Sequence, residues 1–221
     1  MKIGIIIARI GGIDGVALET EKWIELLKRS GHEVYIVSGQ FEKRKINSSY
    51  EKRIPELSLF SPESYWGQKK AFFDPDSDPE KVMEHFALYS DVICNKLLGW
   101  VDENNIELVI SENASALPIH SSLGLGIKKL LEHTALPAIT HENDFAWERG
   151  SRYLSKHEQI NQLINDTFPL RLPNNYHVVI NTPAQTTLWE KYGRASVVVP
   201  NVMDFNQPFG EINEYNKNLR K

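Results

Sequence analysis

The sequence predicts an α/β protein built on a doubly wound, Rossmann-like parallel sheet. Two observations support this fold class: short runs rich in Val and Ile recur along the 221 residues, and helix-like patterns separate them. The runs do not alternate polar with apolar residues, which is typical of strands buried on both faces of a parallel sheet. Right-handed connections between successive strands then place helices on both sides of the sheet.

Six runs are predicted to form strands, and helices lie between them. The runs cover residues 3–8, 33–38, 107–111, 137–141, 176–181 and 195–200. The first helix has one apolar stripe and ends before Gly31, a typical left-handed cap. Its stripe consists of Val16, Thr20, Trp23, Ile24 and Leu27. Asp78-Pro79 indicates the start of a long helix, and Thr182-Pro183 repeats this signal before a helix that ends at Gly193. The apolar face of the long helix comprises Val82, Phe86, Ile93, Leu97 and Val101.

Two regions interrupt this alternation. Residues 39–78 are polar and contain one weak strand candidate, Leu57 to Phe60, so they are predicted to form a long excursion over the surface. The tail from Asn206 to Lys221 has no apolar face strong enough for a core element. It is interpreted as a linker or as the start of a further unit.

Composition excludes several classes of protein. The formal net charge of −4 gives no general attraction to nucleic acid, so we expect no nucleic-acid partner. The single cysteine, Cys94, can form neither a disulfide framework nor a Cys-based zinc site, which favours a reducing cytoplasm. The N-terminal apolar run is too short for a membrane span and is followed by glycines, without the cleavage site of a signal peptide.

Polar chemistry is concentrated after the predicted strands. The first strand is followed by Gly11, Gly12 and Gly15, with a helix beginning near Asp14. Exposed amides and the helix dipole at such a loop suit a phosphate. The glycine spacing differs from the dinucleotide fingerprint, and the second strand lacks the acidic residue that holds an adenosine ribose. The alternative interpretation is a plain glycine turn.

Glu112 and Asn113 follow the third of the six runs, just before a helix. A carboxylate beside a carboxamide can accept and donate hydrogen bonds to neighbouring hydroxyls, as sugar recognition requires. The alternative is local helix capping by Asn113. His120 is interpreted as a helix-surface residue or as a packing residue with satisfied hydrogen bonds. No metal-ligand spacing sets apart the histidines His32, His85, His133, His157 and His177.

The next run ends in the stretch ITHENDFAWERGSR, residues 139–152. His141 is expected in the same open crevice as Gly12 and Glu112, where a neutral imidazole can position a hydroxyl or accept its proton. Asp144 is expected to cap a short helix, and Ser155 to start a capping box for the next one. Phe145 and Trp147 are interpreted as packing residues. The arginines Arg149 and Arg152 are expected either to hold an anion or to pair with Glu148.

Five segments then carry a resemblance. They are IGGIDGVALETEKWIELLKRSGHEVYIVSG, SENASALPIHSSLGLGI, PAITHENDFAWERGSR, HVVINTPAQTTLWEKYG and VVVPNVMDF, in this order. Together they strongly resemble the N-terminal half of family-four glycosyltransferases, which have the two-domain GT-B fold. The resemblance implies one half of a GT-B architecture. Residues 1–200 would form an N-terminal, acceptor-side domain, and residues 201–221 the interdomain hinge and the start of a missing C-terminal donor domain.

The resemblance also implies an activity and a set of site residues. The complete enzyme would move a hexose from a nucleotide sugar to an unknown acceptor, a small molecule or a lipid, with retention of configuration and without a cofactor or an essential metal. His141 matches the histidine near the transferred sugar and is the implied catalytic residue, while Asn201 matches the hinge. Gly12 and Gly15 match the loop that approaches the donor phosphates. The implied acceptor contacts are Asp14, Glu112, Asn113, Glu142, Asp144 and Arg149.

The family's donor domain, with its paired glutamates, has no counterpart in this sequence, so the chain alone is expected to be inactive. It is interpreted as one domain of a longer transferase or as a subunit of a split transferase. The alternative from another class is a non-catalytic module that binds a sugar or a phosphorylated ligand. A nicotinamide-dependent oxidoreductase is disfavoured because the acidic ribose contact is missing.

A local basic cluster adds one further hypothesis. Residues 41–53 carry five basic side chains, Lys43, Arg44, Lys45, Lys52 and Arg53, against Glu42 and Glu51. Such a cluster can hold a protein against an anionic membrane surface if the acceptor is a lipid. We favour a solvated loop instead, because no amphipathic apolar face accompanies the charges.

Overall fold

A computed structural model of the chain describes residues 1–42 and 46–202. Within these residues, seven parallel strands form one sheet in the order β3-β2-β1-β4-β5-β6-β7. The strands are β1 Lys2–Ile10, β2 Glu33–Phe41, β3 Glu51–Arg53, β4 Leu108–Glu112, β5 Ala138–Glu142, β6 Asn175–Val179 and β7 Ser196–Val198. The predicted α/β fold with a doubly wound parallel sheet is confirmed, and all six predicted strands are present.

Six α-helices flank the sheet in the described part of the chain. They are α1 Gly15–Arg29, α2 Pro62–Gln68, α3 Pro79–Asn104, α4 Ser121–Thr134, α5 Glu158–Thr167 and α6 Thr182–Tyr192. None of the described helices is long and apolar enough to cross a bilayer. Short 3-10 turns occupy Pro55–Leu57, Pro118–His120 and Ala146–Arg149, and a π-helix occupies Lys69–Phe73.

The two faces of the sheet have separate cores because alternate side chains of each strand point to opposite faces. On one face, isoleucines of β1 such as Ile5 and Ile7 pack with Ile24 of α1. On the other face, Ile6 packs with residues of α3 and α4, among them Leu97 and Leu130. The continuous apolar runs in the sequence therefore reflect strands that are covered on both sides.

Most predicted helix boundaries are confirmed. Asp14 caps α1 by accepting a hydrogen bond from the Ala17 amide at 3.1 Å, and Asp78 caps α3 through the Glu80 amide at 3.0 Å. Gly31 and Gly193 have the positive φ of left-handed caps. One detail differs: Asn181, and not Thr182, caps α6. Asparagine is a strong N-cap, and Thr182-Pro183 then occupies the first turn.

The prediction for residues 39–78 is wrong in two respects. Leu57 to Phe60 is not a strand, because a 3-10 turn that starts at Pro55 ends at Leu57, and the extra strand is β3 instead. The region is also more than a surface excursion, since Ile54 and Leu57 are core residues. A Cβ on Gly39 would lie 2.0 Å from the Ser58 nitrogen, so only glycine lets this turn lie against the end of β2.

Several sequence predictions lie outside the described residues. They concern Lys43, Arg44 and Lys45 of the basic cluster and the tail from Asn206 to Lys221. Of the predicted hinge and donor-domain segment, residues 201 and 202 are described.

Candidate functional site

The candidate site lies at the carboxyl ends of β1 and β4. These neighbouring strands mark the point where the strand order reverses, because β2 and β3 follow on one side and β5, β6 and β7 on the other. Loops leave this point in opposite directions and open a crevice, the usual ligand position in such sheets. A cavity of about 80 Å³ occupies it, and we call it the switch-point crevice. Its polar lining comes from Arg9, Asp14, Glu112, Asn113 and His120, and apolar residues such as Leu59 and Leu117 complete it.

Asp14 and Arg9 form the β1 side of the crevice. The Asp14 carboxylate caps α1 and also accepts a hydrogen bond from the Arg9 guanidinium at 2.7 Å, while Glu42 lies 3.6 Å from the same guanidinium. A Cβ on Gly12 would lie 2.8 Å from the Asp14 carboxylate, so any larger residue would displace that carboxylate from its present position. Gly15 starts α1 and has open space around its Cα. The β1 side of the crevice therefore holds one arginine between two carboxylates.

Glu112 and His141 form the centre of the site. The His141 Nδ1 lies 2.9 Å from the Glu112 Oε2, and both side chains have zero exposure. Because a carboxylate only accepts, Nδ1 carries the proton in this hydrogen bond. The other polar atom of each group, Glu112 Oε1 and His141 Nε2, has no hydrogen-bond partner among the described residues. Burial of this pair places two unsatisfied polar atoms at the carboxyl edge of the sheet.

His141 is not in an open crevice, contrary to the sequence prediction. Its imidazole stacks on the Trp23 indole of α1, with ring centroids 4.6 Å apart and an angle of 29° between the planes. Glu112, and not His141, is among the residues that line the crevice. The sequence does not reveal that Trp23 stacks on His141, because a tryptophan in the apolar stripe of α1 could also be an ordinary core residue.

Asn113 joins the loops after β4 and β5. Its φ of 49° turns the chain sharply, and its Oδ1 accepts hydrogen bonds from the amides of Asn143 at 3.0 Å and Asp144 at 3.2 Å. The helix-capping interpretation of Asn113 is therefore wrong: its side chain caps a loop and not a helix. Asn201 donates from Nδ2 to the Asn143 Oδ1 at 2.7 Å. The segment at residue 201 is thereby attached to the loops that border the crevice.

Glu142 lies inside the protein and not in the crevice. It is one residue beyond His141 on β5, so its side chain points to the opposite face of the sheet and is 1% exposed. Burial raises the pKa of the Glu142 carboxyl well above its ordinary value, and the neighbouring Glu112 raises it further, while the Ser115 backbone opposes the change. Neither carboxylate oxygen has a partner with hydrogen-bond geometry among the described residues. Direct contact between Glu142 and an acceptor does not fit this position.

Asp144 and Arg149 lie further from the crevice. They form an ion pair of 2.5 Å with each other, so Arg149 pairs with Asp144 and not with Glu148. Asp144 does not cap the short helix as predicted, because the Glu148 carboxylate accepts from the Phe145 amide at 2.8 Å and fills that role. Phe145 is completely buried and stacks on Trp147, as the packing interpretation predicts.

Three smaller predictions can be resolved. Ser155 does not start a capping box, because α5 begins at Glu158 and the Ser155 amide donates to the Asn161 side chain at 2.8 Å. His120 is a packing residue: its Nε2 lies 2.8 Å from the Glu56 carbonyl oxygen, and burial lowers its pKa to about 4. Arg152 lies over the Phe73 ring, with its guanidinium carbon 5.6 Å from the centroid.

The described members of the basic cluster have different surroundings. Lys52 pairs with Glu103 at 2.5 Å, whereas Arg53 donates from Nε to the Gly39 carbonyl at 3.3 Å. Arg9 is the crevice residue that the sequence analysis missed, although its place at the end of the first apolar run was a usable signal. In the described part of the chain, no group of His, Cys, Asp and Glu residues is arranged to hold a metal ion.

Comparison with known proteins adds sequence relatives to this geometry. No family model matches the chain. Over 227 residues it is 32% identical to a mannosylglucosylglycerate synthase of Thermotoga maritima, and over 217 residues 30% identical to one of Petrotoga mobilis. Each match covers 98% of this chain and 48% of the relative. The chain therefore spans about half the length of these curated relatives.

Solved structures give weaker matches. An alpha-glucosyltransferase in complex with UDP and a 13-mer DNA aligns with 92% of this chain and 43% of its own, at 16% identity and a TM-score of 0.48. A glycosyltransferase from Rickettsia africae aligns with 90% of this chain and 42% of its own, at 12% identity and the same TM-score. Taken together, the comparisons show a chain whose curated relatives are mannosylglucosylglycerate synthases.

Proposed function

We propose that this chain is the acceptor-side half of a retaining hexosyltransferase, which moves a hexose from a nucleotide sugar to a hydroxylated acceptor. The observation that carries the proposal is the buried Glu112–His141 pair, which leaves the Glu112 Oε1 unpaired at the switch-point crevice. The similarity to mannosylglucosylglycerate synthases over 98% of the chain supports it. The name of those relatives describes a product that contains two hexosyl units and glycerate.

The crevice supplies two kinds of contact for an acceptor. Glu112 Oε1 is an acceptor-only group, so it would take a hydrogen bond from an acceptor hydroxyl. Asp14 adds a further carboxylate, while Leu59 and Leu117 offer apolar surface to the C–H face of a sugar ring. A buried polar atom that lacks a partner is costly, so a ligand hydroxyl that satisfies Oε1 gains more there than it would at an exposed carboxylate.

His141 would act at the transferred hexose. The hydrogen bond to Glu112 holds its proton on Nδ1, so that Nε2 presents a lone pair to a donor hydroxyl. Because His141 is completely buried, with Trp23 stacked on its ring, a ligand reaches Nε2 only when the surrounding side chains move. A buried, preoriented group of this kind acts more strongly on developing charge than a hydrated one.

The remaining roles follow the family resemblance. Gly12 and Gly15 would let the loop before α1 approach the donor diphosphate, and Asn201 would belong to the hinge. Stabilising the departing diphosphate requires donors from a second domain, which would follow residue 200 or come from a partner subunit. We therefore propose that residues 1–221 alone do not transfer hexose. We also propose that the complete enzyme needs no cofactor or essential metal and that it acts in the cytoplasm.

The experiment compares the chain with and without a donor domain. Hexose transfer from GDP-mannose or UDP-glucose to a glucoside of glycerate is followed by chromatography. We expect no turnover by residues 1–221 and turnover when a donor domain is joined to them. In that longer protein, His141→Ala should lower the rate by about a hundredfold. His133→Ala, an exposed histidine of α4, is the matched control and should change nothing.

Two results would contradict the proposal. Turnover by the isolated chain would show that the donor site lies within it. A His141→Ala protein that is folded at the assay temperature and retains the normal rate would leave His141 a packing residue under Trp23. Because the ring is completely buried, the assay is run well below the unfolding temperature of the variant.

A further inference from the structure

A second cavity lies beside the switch-point crevice. It has a volume of about 290 Å³ and is lined by the ends of β2 and β3, the loop that follows them, and α3. Gly39, Arg53 and Phe60 are among its residues. Because β2 and β3 end at the same edge of the sheet as β1, this cavity continues the row of strand ends outward from the crevice. We call it the Phe60 cavity.

Phe60 stands between the two cavities. Its side chain is 66% exposed, and the Arg9 guanidinium of the crevice lies 5.7 Å from the ring centroid. An exposed aromatic ring that lines a polar cavity is the surface on which the apolar face of a sugar ring packs. A ligand longer than one sugar unit could therefore extend from the crevice across Phe60 into the second cavity.

Arg53 supplies a positive charge in the Phe60 cavity, and no described residue forms an ion pair with it. Its Nε donates to the Gly39 carbonyl oxygen at 3.3 Å, which orients the guanidinium. The other N–H groups of Arg53 meet no carboxylate among the described residues. The nearby acids have partners of their own: Glu56 pairs with Lys96 at 2.5 Å, and Glu63 accepts from the Tyr89 hydroxyl at 3.4 Å.

This situation differs from that of Arg9 in the crevice. Arg9 lies between Asp14 and Glu42, so its charge is already compensated and an incoming anion would meet two carboxylates. Arg53 offers a planar fork of N–H donors, which matches a carboxylate or a phosphate with two parallel hydrogen bonds. Of Arg9 and Arg53, Arg53 is the one suited to an anionic ligand.

We propose that the Phe60 cavity is a second acceptor subsite, in which Arg53 binds the oxyanion of an acceptor whose sugar ring packs on Phe60. This inference rests on the proposed function and names its acceptor class: a glycoside that carries a carboxylate or a phosphate. The hydroxyl that receives the hexose lies at Glu112 on β4, and the anionic end lies at Arg53 on β3, at the other end of the row β3-β2-β1-β4. The choice of acceptor then depends on the negative charge at its far end as well as on the arrangement of its hydroxyl groups.

Binding to residues 1–221 tests the subsite without any need for turnover. Isothermal titration at low salt compares a glucoside of glycerate with the glucoside of glycerol, which lacks only the carboxylate. Glucose 1-phosphate tests whether a phosphate serves instead. We expect the glycerate compound to bind about fivefold more tightly than the glycerol compound, and Arg53→Gln to abolish this difference while leaving binding of the neutral compound unchanged.

Two further variants sharpen the test. Arg53→Lys should retain part of the preference, because it keeps the charge and loses the fork. Arg29→Gln removes a charge from an exposed ion pair with Glu25 at the far end of α1, and should leave the preference intact. Phe60→Ala should weaken the charged and the neutral glucoside to the same degree.

The outcomes separate this proposal from the proposed function. If both glucosides bind equally, and Arg53→Gln changes neither, the anionic subsite is wrong while a sugar site remains. If the preference for the charged glucoside depends on Arg9 and not on Arg53, the anion binds in the crevice, and the proposed subsite in the Phe60 cavity is wrong. If GDP or UDP displaces the glycerate compound, the cavity belongs to the donor. If no glucoside binds at all, the proposed function itself fails.

Discussion

The Glu112 carboxylate and the His141 imidazole are joined by a hydrogen bond of 2.9 Å between two completely buried side chains. Removing one partner leaves the other without compensation, so Glu112→Ala should lower the free energy of unfolding of residues 1–221 by about 3 kcal/mol. Glu112→Gln keeps an oxygen that can accept from His141 and should cost about 1 kcal/mol. Urea unfolding measures both. Equal losses for the two variants would mean that the negative charge of Glu112, and not an oxygen atom that accepts from His141, is what stabilises the pair.

A second prediction concerns the dependence of stability on pH. Burial raises the pKa of Glu142, so the folded protein keeps its proton at pH values where the unfolded chain, with a glutamate pKa of about 4.3, has lost it. The unfolded state is then favoured as pH rises, and stability falls between that value and the raised pKa. Glu142→Gln cannot ionise, so it should stabilise the protein more at pH 8 than at pH 5.

The matched control for this prediction is Glu84→Gln on the exposed face of α3. Glu142→Gln and the unaltered protein are compared at pH 5 and at pH 8, so that the contributions of His120 and His177, whose pKa values burial lowers to about 4, cancel in the difference at each pH. Those two histidines oppose Glu142 at lower pH, because the unfolded chain takes up protons on them first as pH falls below about 6.5. A Glu142→Gln effect that is the same at every pH would show that the carboxyl is ionised in the folded protein.

A third prediction compares two glycines. Gly39→Ala would place a Cβ 2.0 Å from the Ser58 nitrogen, so backbone must move, and we expect a loss of about 3 kcal/mol in the free energy of unfolding. Gly99 lies within α3 with open space around it, so Gly99→Ala should gain about 1 kcal/mol. Thermal unfolding of both variants checks the pair. Stabilisation by Gly39→Ala would show that the turn at Pro55 does not lie against β2.

A fourth prediction separates the two roles of Asn113. Asn113→Gly keeps the left-handed backbone but loses the acceptor for the amides of Asn143 and Asp144, which should cost about 1 kcal/mol. Asn113→Ala adds the cost of a Cβ at positive φ, roughly 1 kcal/mol more. Amide hydrogen exchange at residues 143 and 144 should quicken in both variants. Unchanged exchange would mean that Asn113 does not hold that loop.

The sequence allowed the central fold to be predicted because its signals are local. Continuous runs of Val and Ile mark strands covered on both faces, and Asp78-Pro79 and Gly193 mark helix ends. The strand β3 was missed because three residues, Glu51–Arg53, carry no apolar pattern and are defined only by pairing with β2. Leu57 to Phe60 was predicted as a weak strand because a short apolar pattern around a buried leucine does not distinguish a strand from the end of a 3-10 turn.

The site was predictable in its position more than in its geometry. Polar residues that follow parallel strands must meet at one edge of the sheet, which places Glu112 and Asp14 correctly at the crevice. Successive side chains of β5 point to opposite faces of the sheet, and this alternation separates His141 from Glu142. The cover over His141 depends on how α1 packs, and the sequence of α1 does not specify that Trp23 lies against an imidazole.

The pairing of β1 with β4 also has a consequence for how the protein folds. Ile3 pairs with Leu108 and Ile7 with Glu112, so the two strands that border the crevice are about a hundred residues apart along the chain. Contacts between such distant segments require the closure of a long loop and form slowly. The first strand, its helix and the second strand can associate early, because they are neighbours in the chain. We therefore expect the crevice to form late, so that an early intermediate would contain packed helices and paired strands but no place for a ligand.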